Sequence, residues 1–463
     1  MSAGLDARET VRHQGKTTIG RTFSMRRFAV FIFIFFLVFC LHAMVGTRAA
    51  DAAGSCVTAT CHSAMGKGKF IHGPVAVGNC TVCHISVGNH KFATIKKASD
   101  FCYKCHDRLN TKSAVHVPVK NGDCTLCHDP HQSPYKYQLR ADVTKICFNC
   151  HDKKIASGKY VHGPVSVGGC IMCHNPHQSD FPHMLNASGN AVCFQCHTDM
   201  ADTLKGDKFV HEAVKEGCIN CHSPHSADYP HNLKADGSEA LCFGCHTDKK
   251  DWVANVKTKH GALQSGRKCL ACHDPHGSGY PKQLVKAPMD LCLSCHDKPL
   301  DTPNGKLIDM KTYLAENKEK HGPVREKDCS ACHNPHGSNN FRILRKYFPP
   351  VFYAPFDPKN YDLCFSCHEK TLVLDPRTTT LTNFRNGDIN LHYLHVNKPV
   401  KGRTCRACHE MHATNNPKHI RDAVPFGVWQ LPLNYRKTPD GGSCQPGCHQ
   451  RFSYDRKSPV KNR

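Results

Sequence analysis

Cys170, Cys173 and His174 stand in the order C-x-x-C-H, inside the stretch 162–177 that reads H-G-P-V-S-V-G-G-C-I-M-C-H-N-P-H. Two thiols one helical turn apart can form thioethers with the two vinyl groups along one porphyrin edge. A histidine in the next position then puts an imidazole under the iron as proximal ligand. The order encodes covalent attachment of a c-type haem. His162 and His177 flank the motif, and His177 lies three residues past His174 on roughly the same side of the chain. That placement suits it to a neighbouring iron rather than to its own.

The same spacing recurs at Cys80/Cys83/His84, Cys102/Cys105/His106, Cys124/Cys127/His128, Cys147/Cys150/His151, Cys193/Cys196/His197 and Cys218/Cys221/His222. It continues at Cys242/Cys245/His246, Cys269/Cys272/His273, Cys292/Cys295/His296, Cys329/Cys332/His333, Cys364/Cys367/His368 and Cys405/Cys408/His409. Two end motifs carry longer spacers, Cys56-V-T-A-T-Cys61-His62 and Cys444-Q-P-G-Cys448-His449. The fifteen motifs use 30 of the 31 cysteines, and a histidine follows every second cysteine although His is only 35 of 463 residues. Zinc ribbons and thioredoxin-like sites also contain C-x-x-C, but neither needs that histidine. A disulfide framework has no use for it either.

Fifteen irons then require a sixth ligand. With the proximal set and the N-terminal His13 and His42 removed, 18 histidines remain. An upstream set precedes the motifs: His72, His116, His162, His211, His260, His321 and His395. A downstream set follows them: His90, His131, His177, His225, His276, His336 and His412. The fifteenth comes from His183, His231, His392 or His419, and His419 is taken for the set. Bis-imidazole ligation leaves iron without an open position and favours a lower potential than Met/His ligation, which points to electron transfer. No C-x-x-C-K motif, phosphate-cradling glycine loop, nucleophile elbow or spaced acidic pair occurs. No catalytic residue is assigned.

The elements that must hold these groups form an internal repeat. First cysteines are 22 to 27 residues apart from Cys56 to Cys292, then 37, 35, 41 and 39 apart to Cys444. Residues 50–300 therefore read as a regular paired array and 301–463 as a looser one with insertions. Motifs alternate between His-(G-P-V)-x-C-x-x-C-H-x-P-H and a form with an apolar residue before the first cysteine, as at Phe101-Cys102-Tyr103, so the repeating unit holds two haems. Gly and Pro together number 61, which rules out long helices. The expected fold is mostly irregular coil with short α-helices and little or no β structure, with porphyrins as its apolar core. The segments 341–362 and 371–394 interrupt the pattern. A third segment, 426–435, precedes a turn at Thr438-Pro-Asp-Gly-Gly442.

Residues 1–27 are polar and basic, Phe28 to Met44 is an apolar run of 17, and small residues follow at Ala49, Ala50, Ala52 and Ala53. This is the pattern of a secretory signal over residues 1–49, with Met25 as an alternative start and an uncleaved anchor as the rival reading. Export suits the chemistry, because haem attachment to paired thiols belongs to an oxidising compartment such as the periplasm. No second span follows. The formal charge of +23 falls to +18 once residues 1–49, with seven basic and two acidic residues, are removed. Fifteen ferric haems with ionised propionates, each about −1, would bring the chain near neutrality, so the basic residues are assigned to propionates rather than to nucleic acid.

The doubled arrangement resembles the multihaem c-type cytochromes with paired C-x-x-C-H motifs of metal-respiring and other anaerobic bacteria. The fifteen motifs carry the resemblance, together with the D/N/S-P-H that recurs at Asp129-Pro130-His131, Asn175-Pro176-His177, Ser223-Pro224-His225, Asp274-Pro275-His276 and Asn334-Pro335-His336. It departs after His84, where Ile85-Ser86-Val87 leaves His90 as the nearest substitute, and after His409, where Glu410-Met411-His412 lacks the proline. The resemblance implies haem-to-haem electron transfer in anaerobic respiration. The implied partners are other cytochromes, a quinol oxidoreductase or an outer-membrane conduit. A reductase of a small nitrogen or sulfur oxyanion with one open-site haem and a filament-forming conductive subunit are the alternatives. Outer-membrane association or secretion stands as the alternative to a periplasmic location.

Overall fold

The computed structural model describes residues 56–93, 96–303 and 305–463. The expected signal segment, 1–49, lies outside the described residues. Two compact units emerge, one made of 56–93 with 130–134 and the other of 96–129 with the chain from 135 onward.

His72, His116, His162 and His321 each sit in extended backbone and open a one-turn helix, because the Gly-Pro or Val-Pro after them fixes a helical φ at a position whose N–H needs no partner. His162 (φ −61°, ψ 137°) starts Gly163–Ser166, and His116 starts Val117–Asn121 in the same way. The C-x-x part of many motifs then forms a tight 3₁₀ turn, such as Cys170–Met172, while at Cys102, Cys193, Cys242 and Cys292 a short α-helix reaches the first cysteine. Helices run from four to nine residues.

Strands are few and short, two to four residues each, yet they recur where they matter. In the second unit Ala114–Val115 pairs antiparallel with Gln178–Ser179, Tyr160–Val161 with Ser226–Ala227, Phe209–Val210 with Gly277–Ser278, and Glu319–Lys320 with Ala413–Thr414. A single bridge, Thr258 to Ser338, takes the place of one pair. In the first unit Phe70–Ile71 pairs with Gln132–Ser133. Little β structure was expected, and these small ladders refine that expectation. Each ties the residues before an upstream histidine to those after a downstream histidine of a later motif, as neighbour-to-neighbour packing in a repeat protein requires.

The core is uneven along the chain. Among the described residues up to 300 the buried apolar side chains are Val214, Val253 and Val256. That is too little apolar burial to offset the cost of ordering the chain. Beyond 300 two clusters form, Leu314, Val324 and Ala413 in one and Leu344, Phe348, Tyr361, Val373 and Val396 in the other. The segments that interrupt the repeat supply much of the second. The 426–435 segment forms the hairpin Ala423–Phe426 with Trp429–Pro432, and its tip leaves Val428 and Trp429 exposed. The turn read at 438–442 joins Arg436–Lys437 to Gly441–Cys444, which pairs in turn with Phe452–Asp455.

Candidate functional site

The motif histidines are set by local hydrogen bonding. After each C-x-x turn the histidine N–H returns to the carbonyl of the first cysteine, as for His106 on Cys102 at 2.9 Å, His174 on Cys170 at 3.0 Å and His409 on Cys405 at 2.9 Å. That bond puts two sulfurs and one imidazole on one side of a turn. The end motifs differ: His449 N–H bonds Pro446 while its ring stacks on Phe452, and His62 adopts φ 47°.

Solvent access separates the two cysteines of a motif, a distinction that the expectation of a porphyrin core did not make. The first cysteine is half-buried throughout, whereas the second is exposed at Cys61, Cys105, Cys150, Cys196, Cys245, Cys295, Cys367 and Cys448. The thirty motif thiols are therefore not a buried set. The second cysteines that do gain cover are Cys83, Cys127, Cys173, Cys221, Cys272, Cys332 and Cys408. From Cys127 onward the cause is a returning loop, whose backbone N–H bonds the cysteine carbonyl: Arg140 on Cys127, Asn186 on Cys173, Lys234 on Cys221, Val285 on Cys272, Arg345 on Cys332 and Arg421 on Cys408. At Cys83 the following chain instead forms the hairpin Ser86–Gly88 with Lys91–Phe92. The motifs of Cys105, Cys196, Cys245, Cys295 and Cys367 are followed by other structure, such as the helices Thr198–Gly206 and Thr247–Asn255, and their sulfurs stay open. Openness is compatible with attachment, since a thiol that reaches a vinyl carbon cannot be enclosed by its own chain.

Long-range folding then brings a second imidazole opposite the first. In the first unit His62 faces His90 at 6.1 Å between ring centroids, and His84 faces His131 at 5.9 Å. In the second unit the pairs are His116–His151, His128–His177, His162–His197, His174–His225, His211–His246 and His222–His276. They continue with His260–His296, His273–His336, His321–His368, His333–His412 and His392–His409. Their separations span 5.9 to 6.3 Å and their planes lie within 23° of parallel. Direct ring stacking would bring the rings closer. Two imidazoles bound to one metal through bonds of about 2.0–2.1 Å have centroids about 6 Å apart, so the gaps match one metal atom and one tetrapyrrole plane. Among the described residues no group of three or more His, Cys, Asp or Glu is arranged to hold a bare metal ion. The donors come in twos across a gap, which fits haem iron.

His106 is an exposed residue of the second unit, and His72 belongs to the first, where it caps Gly73–Ala76 with its N–H on the His131 carbonyl.

The outer nitrogens are fixed as well. At alternate motifs the Nδ1 of the motif histidine reaches the carbonyl nine residues on: His128 to Tyr137, His174 to His183, His222 to His231, His273 to Lys282, His333 to Arg342 and His409 to Lys418, at 2.8 to 3.0 Å. Such a bond makes Nδ1 the donor and leaves the Nε2 lone pair for a metal. The accepting residue and its successor are left-handed, as in His183 (φ 56°) and Met184 (φ 54°), and the second carbonyl takes the N–H of the residue after the motif histidine. Two consecutive non-glycine residues in this region cost roughly 1–2 kcal/mol each. Buried hydroxyls hold the loop in that shape, Ser179 on the Leu185 carbonyl and Ser338 on that of Leu344.

At the intervening motifs the partner ring is held instead. His116, His162 and His211 set Nδ1 on the carbonyls of Pro176, Pro224 and Pro275, the central residues of the x-P-H tripeptides. In these pairs one imidazole is anchored to backbone, by turns that of the motif and that of its partner. The upstream N–H groups also bond across, His116 to the His177 carbonyl and His162 to that of His225. Each small ladder therefore presents two partner rings to two successive motifs.

The sulfurs of successive motifs approach one another in turn. Burial and a neighbouring sulfur raise the Cys127 thiol beside Cys150 and the Cys147 thiol beside Cys170, with Cys147 and Cys170 in hydrogen-bond reach. Contacts between first cysteines repeat at Cys193 with Cys218, Cys242 with Cys269, Cys292 with Cys329 and Cys364 with Cys405. The exposed second cysteines take the alternate contacts, Cys196 acting on Cys173, Cys245 on Cys221, Cys295 on Cys272 and Cys367 on Cys332.

His419, taken as the fifteenth partner, sits differently from the other expected partners. His419 does not face a motif histidine in parallel; it lies edge-on to His321 at 5.6 Å. The ring parallel to His409 is His392, on the short helix Leu391–Val396 that also carries His395. His395 bonds the Leu391 carbonyl and senses the charge of His449. A spacing of three on one helix sets both rings on one face, and His-Tyr-Leu-His was the overlooked signal. Burial, with His409 and His395 nearby, pushes His392 down to about 3, and burial pushes His412 down to about 4. Both are neutral near pH 7, as metal ligation demands. His183 and His231 contribute backbone carbonyls.

The doubled CXXCH motif model matches residues 72–111, 116–156, 162–202, 211–251, 260–300 and 321–372, more than half of the chain. Each match opens on an upstream histidine and spans two motifs, so about twelve covalently bound c-type haems follow from the matched motifs alone. A segment of 102 residues is 31% identical to the multiheme cytochrome MtrA of Shewanella baltica (strain OS185), covering 22% of this chain and 23% of that protein. No described helix is long and apolar enough to cross a membrane. With six doubled motifs matched and the donors set in pairs across metal-sized gaps, the chain belongs to the multihaem c-type cytochromes built on the doubled CXXCH motif.

Proposed function

We propose that this chain is an exported cytochrome of about fifteen haems that relays electrons between redox partners in anaerobic respiration. The parallel histidine pairs carry the reading. Each haem, once attached, supplies a one-electron ferric/ferrous carrier. The chain's residues do the rest: cysteine pairs fix each carrier, proximal and partner imidazoles fill both axial positions, and filled positions exclude a substrate from the iron. His395 is read as the partner of His449, and His392 rather than His419 as the partner of His409. His72 is read as an axial ligand, like the other upstream histidines. Cys105, Cys196, Cys245, Cys295 and Cys367, open to solvent in the polypeptide, are read as thioether positions like their half-buried counterparts, Cys83 among them.

Residues also set the order of the sites. From the motif at Cys124 to that at Cys444, contacts between second cysteines alternate with contacts between first cysteines of successive motifs. This supports a relay in which sequence order is spatial order within the second unit. The regular stretch 50–300 relies on its cofactors for a core, while 301–463 adds apolar clusters of its own. Export through the 1–49 segment to the periplasm, and exchange with other cytochromes, a quinol oxidoreductase or an outer-membrane conduit, complete the reading. Likeness to the multiheme cytochrome MtrA over about a quarter of its length supports the multihaem reading.

Intact-mass spectrometry of the mature holoprotein tests the proposal together with electron paramagnetic resonance of its oxidised form. Fifteen haems with low-spin signals alone are expected. A high-spin signal equal to one haem per chain would favour the oxyanion-reductase reading.

A further inference from the structure

At two of the alternate motifs whose own imidazole is anchored by a left-handed loop, the partner ring, His276 or His412, has its Nδ1 near the side chain two residues before it. That residue varies. Asp274 sets Oδ1 3.5 Å from Nδ1 of His276, and Glu410 sets Oε1 3.9 Å from Nδ1 of His412. The equivalent Asn175 and Asn334 bring no charge; their Oδ1 atoms accept backbone N–H groups, His177 at 3.0 Å and His336 at 3.1 Å, as the Asp274 Oδ1 accepts that of His276 at 2.9 Å, so the charge is what differs. The opposite ring is held alike in every case, His222 on the His231 carbonyl and His273 on that of Lys282, both at 2.8 Å. The tripeptide's first side chain is thus what differs most between otherwise repeated sites.

A carboxylate close to the outer nitrogen of an axial imidazole makes that ligand more electron-rich and places negative charge near the iron, stabilising the ferric over the ferrous state. Resting on the reading that these pairs hold haem iron, we infer that this position tunes potential. Asp274 lowers the midpoint of the centre held by His222 and His276 below those held by His128/His177 and His273/His336. Glu410 acts in the same direction on His333/His412, but more weakly, because its other oxygen is paired with Arg421 at 3.0 Å and that cation offsets its charge. Asp274 is therefore the larger lever, although water screens it on its open side.

Asp274→Asn in the full-length holoprotein should raise one midpoint in an EPR-monitored redox titration. The expected change is about tenfold in that centre's reduction equilibrium, about 59 mV for one electron, with haem content unchanged. Asn175→Asp, which adds the charge at a site that lacks it, should lower one midpoint and shift one low-spin signal. Unchanged titrations and spectra in both fully loaded variants, or a fall for Asp274→Asn, overturn the inference. His276→Met run in parallel separates the two levels of argument. If it too leaves spectrum and titration unchanged, the ligand reading itself has failed; if it changes them while the charge variants do not, only the tuning has.

Discussion

The imidazoles of His174 and His225 lie parallel with centroids 6.0 Å apart, although one ends a C-x-x-C-H motif and the other follows the next-but-one. His174 is fixed from behind by the His183 carbonyl at 2.9 Å, and the residue after His225 enters the ladder with Val161. The gap between the rings is a product of the repeat's interlocking, so its ligands can be changed one at a time.

His177→Met replaces the ring that faces His128 at 5.9 Å. Methionine is the weaker donor to ferric iron, so one midpoint should rise. A titration curve and oxidised spectrum identical to the parent would contradict the assignment.

Lys282 (φ 59°) and Gln283 (φ 51°) hold the left-handed pair behind His273. Lys282→Gly removes the steric penalty while keeping the carbonyl, and should raise stability by up to about 1 kcal/mol, less the added freedom of the unfolded chain. Lys282→Pro cannot adopt that φ, so it should destabilise the holoprotein and shift one haem's potential. Thermal melts with redox titration check both.

These loops mark where the sequence stops being legible. The attachment groups at Cys170, Cys173 and His174 were readable because covalent chemistry fixes their spacing, and the flanking histidines because they recur with the motifs. Which ring faces which depends on contacts such as the His162 N–H to the His225 carbonyl, and local pattern does not encode them. His392 was passed over because it sits in an insertion without a motif. The left-handed carbonyls were invisible because His183-Met184, Lys282-Gln283 and Arg342-Ile343 share a backbone shape but no residue type. The same loops decide that Cys173 is half-buried and Cys196 exposed, so identical spacing hid that difference too.

A side chain at Gly441 would overlap the Tyr454 carbonyl, so the C-terminal sheet needs glycine there. Gly441→Ala should cost about 1–3 kcal/mol by overpacking. It should also loosen the strand that carries Cys444, leaving part of the population one haem short by intact mass. Full loading with an unchanged melt would contradict this.

Reduction adds electrons to a chain whose +18 of mature charge is largely offset by propionates on this reading. Charge accumulating at low dielectric draws in protons, so midpoints should fall as pH rises near neutrality. Titrations at several pH values that overlay would exclude such coupling.

The central claim is that fifteen motif histidines each share an iron with a second histidine. Oxidised holoprotein examined by EPR and near-infrared magnetic circular dichroism, with haems counted by intact mass on the same sample, tests it most directly. The account predicts fifteen haems, all low-spin with two imidazole ligands. A high-spin ferric centre, or methionine ligation at any site, would contradict it.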